Sequence, residues 1–118
     1  FFTGMFETAL EEDEIIESIS FSKPRNANYI KFPNPASRYA MVGVFVSQFD
    51  DGVRVAVAGA GEGGVFRHEE MESALSSNFS ADSLSSINIA SDGLISDLHA
   101  SSEYRANLIK EMTKRAVA

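Results

Sequence analysis

The chain has 118 residues, 44% of them hydrophobic, with no cysteine, no tryptophan and a formal charge of −7. That length suits one domain around a single core, and the missing cysteines exclude disulfides, thiolate metal sites, iron–sulfur ligation and a cysteine nucleophile within it. The negative charge, with Lys and Arg scattered outside the final helix, argues against nucleic acid, whose phosphates need a basic surface to bind.

The longest apolar stretches, such as Tyr39 to Val46, carry a glycine and fall far short of the roughly 20 residues that span a bilayer. No transmembrane segment is expected. The chain shows no basic-then-apolar leader, and Phe1-Phe2-Thr3-Gly4-Met5 has no methionine at position 1, so the reading is a piece of a longer protein, located in the cytoplasm.

Glu11-Glu12-Asp13-Glu14 reads as a solvated acidic turn. Glu14 to Phe21 (EIIESISF) is rich in Ile and partly alternating, which predicts a strand stopped by Lys23-Pro24. Asn26 to Pro35 is punctuated by Asn and two prolines around Tyr29, Ile30 and Phe32, the pattern of an irregular segment held down by aromatic anchors. Arg38 to Phe49 and Val53 to Ala58 are β-branched runs flanking Asp50-Asp51-Gly52, and glycine there supplies the positive φ of a tight antiparallel hairpin.

Arg67 to Ser76 places Met71, Ala74 and Leu75 at helical spacing, with Glu69, Glu70 and Glu72 near the start where the helix dipole favours acids. Ser80 to Ser83 can cap a second, serine-rich helix reaching about Ala90. Ser101 caps a third running to about Ala116, with Tyr104, Leu108 and Met112 on one stripe and Lys110, Lys114 and Arg115 near its negative end. Strands first and helices afterwards, without alternating units, favour an α+β fold. Tyr29, Phe32, Tyr39, Phe45 and Phe66 are expected mostly to fill the core.

Gly59-Ala60-Gly61-Glu62-Gly63-Gly64 fits G-x-G-x-x-G after a strand and before a helix. A dinucleotide there would set its pyrophosphate against the Glu62 carboxylate, and no second parallel strand with a ribose-binding acid follows. The preferred reading is a glycine-rich strand-to-helix connection. His99 lies between Asp97 and Ser101, but triads are assembled from separate elements, so Asp97 is read as a ligand for loop amides with His99 partly exposed. His68-Glu69-Glu70-Met71 is not H-E-x-x-H, and no metal site or catalytic residue is assigned.

Ile95-Ser96-Asp97-Leu98-His99-Ala100-Ser101-Ser102-Glu103-Tyr104-Arg105, with the later Lys114-Arg115-Ala116, resembles the closing signature of the flavin-binding medium subunit of molybdenum hydroxylases of the carbon monoxide dehydrogenase and xanthine dehydrogenase type. Phe1 to Gly4, Thr8 to Leu10 and Glu14 to Ile16 resemble the segment leaving that family's flavin-binding middle domain, and Tyr29 to Phe32 the entry to its C-terminal domain. The resemblance implies residues 1–23 as the tail of the middle domain and residues 24–118 as the C-terminal domain. Its fold would be a three- or four-stranded antiparallel sheet packed against three helices.

The same resemblance implies FAD in the intact oxidoreductase subunit, gripped by loops upstream of these residues. The molybdenum cofactor and iron–sulfur clusters would sit in a large and a small partner subunit, with electrons passing from the clusters to FAD to an acceptor. The C-terminal domain would supply a side wall for the isoalloxazine, with Lys31 at the position approaching the ring and Tyr29 as a second candidate. An ammonium there would favour the negative charge that reduced flavin develops. The alternative for Lys31 is an exposed strand lysine. Asp97 and Arg105 are read as a structural pair. The alternative for the whole chain is a stand-alone protein-interaction module without a redox role; in either case it is expected to be inactive alone.

Overall fold

The structure, a computed structural model, describes residues 1–4 and 6–118; Met5 of the opening segment lies outside the described residues. A small hairpin, β1 (Phe2–Gly4) with β2 (Glu7–Thr8), opens the chain. The main sheet follows: β3 (Asn26–Pro33), β4 (Ala40–Phe49), β5 (Gly52–Gly61) and β6 (Gly64–Arg67), antiparallel throughout and in sequence order. Helix α1 (Glu69–Ser77), a 3₁₀ turn (Ala81–Leu84) and helix α2 (Ser102–Val117) complete it. The α+β class with a four-stranded sheet is as read from the sequence.

Both helices pack on one face of the sheet, α2 across β3 and β4 and α1 against β5. Strand side chains alternate between faces, and the valines supply the buried set. Ile30, Val44 and Val57 lie opposite one another in the register, as do Val46 and Val55. Their six core valines, 42, 44, 46, 53, 55 and 57, are essentially inaccessible and meet Met71, Leu75, Leu84, Leu108, Ile109 and Met112 from the helical layer. Burying such side chains is worth about 1.5–3 kcal/mol each, so these rows decide which face turns inward.

The hairpin at Asp50-Asp51 forms as expected, closed by Gly52 at φ 140° with Phe49 opposite Gly52. Met71 and Leu75 are buried on α1, and Leu108 and Met112 on α2. The Ser101 hydroxyl accepts the Tyr104 amide at 3.3 Å, the N-cap bond the sequence predicts.

Five expectations change. Glu14 to Phe21 forms no strand; the segment is exposed and outside every regular element. A strand needs a partner edge, and among the described residues none lies beside it. Asn26–Pro33 is not irregular but an eight-residue edge strand: Asn26 and Asn28 share the helix-side face with Ile30, where Asn28 donates to the Ala116 carbonyl at 3.2 Å, and Pro33 stands at the strand end, where a missing amide costs little. The second helix shortens to the 3₁₀ turn, because serines that bond their own backbone compete with helix: the Ser80 hydroxyl accepts from the Asp82 amide and the Ser83 hydroxyl donates to the Ser80 carbonyl. Three expected helices thus become two and a turn. Of the five aromatics, only Phe32 and Phe66 pack against the core, while Tyr29, Tyr39 and Phe45 are exposed; aliphatic side chains already fill that volume.

The glycine run is neither a dinucleotide loop nor a strand-to-helix connection. Gly61 pairs with Gly64 across a turn joining two antiparallel strands. Gly59 sits at φ 77°, in a stretch where the register with β6 shifts, and a Cβ there would lie 2.2 Å from the Ala40 carbonyl oxygen. Only glycine lets β5 pass so close to the start of β4.

Candidate functional site

The sheet face turned away from the helices is uncovered among the described residues, and the register fixes what it displays. One row crosses all four strands: Tyr29, Phe45, Ala56 and Arg67. Beside it run Lys31, Gly43 and Ala58 on one side, and Ala27, Ser47 and Arg54 on the other. Tyr29 and Lys31, two residues apart on β3, therefore share this face at its free edge. Apart from Phe45, small residues occupy its middle.

Tyr29 is about half exposed, at 49%. Its ring lies over Gly43, where a Cβ would come within 2.5 Å of the hydroxyl and 3.1 Å of the ring, so the absence of a side chain at 43 is what seats it. Lys31 is exposed, and its ammonium donates to the Arg38 carbonyl oxygen at 2.9 Å. Arg38 occupies the left-handed region at φ 64°, an unfavourable place for a residue with a Cβ. Asn34 braces that turn: its side-chain oxygen accepts the Ala36 amide at 2.9 Å, and its backbone carbonyl accepts the Arg38 amide at 2.9 Å. Lys31 is thus a strand lysine held at the rim of the open face by one backbone bond.

Beneath the sheet, Arg105 is 4% exposed and joins three elements. Its guanidinium donates to the carbonyl oxygens of Met41 (2.7 Å) and Gly59 (3.3 Å) and to the Asp97 carboxylate (2.9 Å). Asp97 in turn accepts the amides of His99 and Ala100 at 2.9 and 3.0 Å. The structural pairing of Asp97 with Arg105 is as expected, and His99, exposed in the loop, joins no triad. Hydrogen bonding from the His99 amide, followed by the Ala100 amide and Arg105, holds Asp97 below the usual aspartate range against the opposing effect of burial.

Sequence reading missed Glu72. The helical pattern places it among exposed acids, yet it is buried. Its carboxylate accepts the Val55 amide at 2.9 Å and a two-pronged contact from Arg67, at 2.8 and 2.5 Å. Beyond the end of β6, the edge of β5 turned away from β4 has no strand partner among the described residues, and Glu72 takes that place at the Val55 amide. Hydrogen bonding to Arg67 holds Glu72 below the usual glutamate range, opposed by burial and aided by the Val55 amide. An arginine at the last position of β6, five residues before a glutamate on the helix, was the available signal.

Among the described residues no three His, Asp or Glu side chains are placed to hold a metal ion, and no helix is long and apolar enough to cross a membrane. No family model matches the chain. No solved structure matches it significantly. Among curated proteins it is similar to the nicotine 6-hydroxylase medium subunit of Paenarthrobacter nicotinovorans, 33% identical over 127 aligned residues that cover 98% of this chain and 44% of that protein. The chain therefore spans less than half the length of this curated relative.

Proposed function

We propose that the chain is the C-terminal portion of the FAD-carrying medium subunit of a molybdenum hydroxylase of the carbon monoxide dehydrogenase and xanthine dehydrogenase type. The observation that carries the reading is the similarity to a medium subunit along 98% of the chain, in line with the signature around Asp97, Tyr104 and Arg105. On this reading residues 24–118 are the C-terminal domain and residues 1–23 the end of the flavin-binding domain before it. That division is supported by where unburied apolar surface collects. Phe1, Phe2, Phe6, Leu10, Ile15, Ile16, Ile19 and Phe21 are all exposed, which is the surface a neighbouring domain of the same subunit would cover.

The open face fits one wall of a flavin site. Tyr29 offers a ring seated over Gly43, and Lys31 a cation at its rim; the glycine-rich turn at Gly61–Gly64 is a hairpin tip, without the helix N-terminus that cradles a pyrophosphate. The fit is to lining the isoalloxazine, with the grip on the rest of FAD supplied upstream. Bound FAD would supply electron exchange between the iron–sulfur clusters of a small subunit and an acceptor. Lys31 would hold positive charge beside the ring, and Tyr29 would orient the ring and exclude water from one side. A large subunit would carry the molybdenum cofactor, and the assembly would work in the cytoplasm.

Purifying the natural-length polypeptide tests this. It is expected to carry flavin with the absorbance of bound FAD, and this 118-residue chain alone to take up none tightly. A natural-length polypeptide that neither carries nor takes up FAD contradicts the reading.

A further inference from the structure

The open face ends, on the side away from Lys31, in a cleft of about 780 Å³ beside the β4–β5 turn. Its lining includes Lys23, Arg25, Arg54 and Arg67, with Phe49 among them. Four of the chain's ten Lys and Arg residues meet here, against two lining carboxylates, Asp50 and Asp51, in a protein of charge −7.

Each guanidinium is held by a carboxylate that leaves other donors over. Arg67 gives Nε and one terminal nitrogen to Glu72, and its second terminal nitrogen makes no hydrogen bond among the described residues. Arg25 meets Asp50 through Nε alone. Arg54 gives one terminal nitrogen to Asp51 at 2.9 Å and the other to the Val53 carbonyl at 3.3 Å, and lies 5.9 Å from the centre of the Phe49 ring. Lys23 forms no ion pair among the described residues. The pairs of Arg25 and Arg54 are exposed, and such pairs contribute little and exchange readily with an incoming anion. Glu72, largely buried, fixes Arg67 without using up its donors and so prepares a fork for an oxyanion, while Asp50 and Asp51 are weak competitors that such an anion displaces from Arg25 and Arg54.

We infer that this cleft is a binding site for a small ligand bearing a phosphate or pyrophosphate group. The volume falls in the range of small-molecule sites. Several forked donors converging from the chain before β3, the β4–β5 turn and β6 suit an anion with many oxygens better than a single carboxylate. Across three strand spacings, Arg67 stands about 14 Å from Tyr29, so the cleft is separate from the proposed flavin wall and does not depend on it.

Titration calorimetry of the natural-length protein with inorganic pyrophosphate tests the assignment. Binding is expected, weakening as salt rises. The double variant Arg25→Gln/Arg54→Gln should lose about tenfold or more in affinity with its melting temperature kept, since neither side chain enters the core. Asp51→Asn, which removes a competitor, should tighten binding by about twofold to fivefold. Absent binding, binding indifferent to the double variant, or glutarate bound as tightly as pyrophosphate would each overturn the proposal.

Discussion

Arg105, Asp97 and Gly59 form a knot beneath the sheet whose parts depend on one another. Arg105→Met removes the charged donor to the Met41 and Gly59 carbonyls and to one oxygen of the Asp97 carboxylate, and is expected to cost about 3 kcal/mol in chemical unfolding; an unchanged midpoint would show the knot to be idle. At Gly59, φ 77° and the 2.2 Å approach to Ala40 combine, so Gly59→Ala should destabilise by about 2 kcal/mol or more. Acid should act through the carboxylates. Glu72 is held low first by its bonds to Arg67, Asp97 first by the His99 amide, and Glu103 first by its own backbone amide and then the Ser101 hydroxyl. A carboxylate whose folded value lies below its unfolded one adds stability above the unfolded value, and that stability is lost as pH falls through the folded one. Urea midpoints should therefore drop through the acid range, with a shallower slope in Glu72→Gln; equal slopes would remove Glu72 from the account.

At the scale of elements, the segment before β3 carries the sharpest expectation. Ile15, Ile19 and Phe21 are exposed without a partner strand, so chymotrypsin should cut at Phe21 rapidly in the isolated chain and slowly in the natural-length protein. Equal rates in both would mean that nothing covers the segment. The same elements show how far a sequence can be read. The β4–β5 hairpin, α1, α2 and the Ser101 cap rest on local chemistry, namely a glycine turn, helical spacing and a hydroxyl beside free amides, and all were legible. Strand formation is settled by partners, and so Glu14 to Phe21, with strand-like residues, stays unpaired while Asn26–Pro33, with its asparagines and proline, pairs with β4 between Ala40 and Gln48. The rim positions of Tyr29 and Lys31 follow from that pairing. Glu72 was illegible for the same reason: its burial depends on where β6 stops.

Over the whole molecule, a helical layer closes one face of the sheet and leaves the other displaying Tyr29, Phe45 and Lys31 at one side and the arginine cleft at the opposite one. On the proposed reading, a sheet open on one face would line a cofactor that another domain grips, and the apolar residues gathered before β3 would attach to that domain. On that reading the sheet also sets the scale of any effect from Lys31, which would act as one charge at a rim and not as an enclosing pocket. The most direct measurement is the flavin midpoint potential and absorbance of the natural-length subunit carrying Lys31, Lys31→Arg or Lys31→Ala. The account predicts a more negative potential and an altered flavin spectrum for Lys31→Ala, with Lys31→Arg close to the unaltered protein; identical spectra and potentials in all three would contradict it.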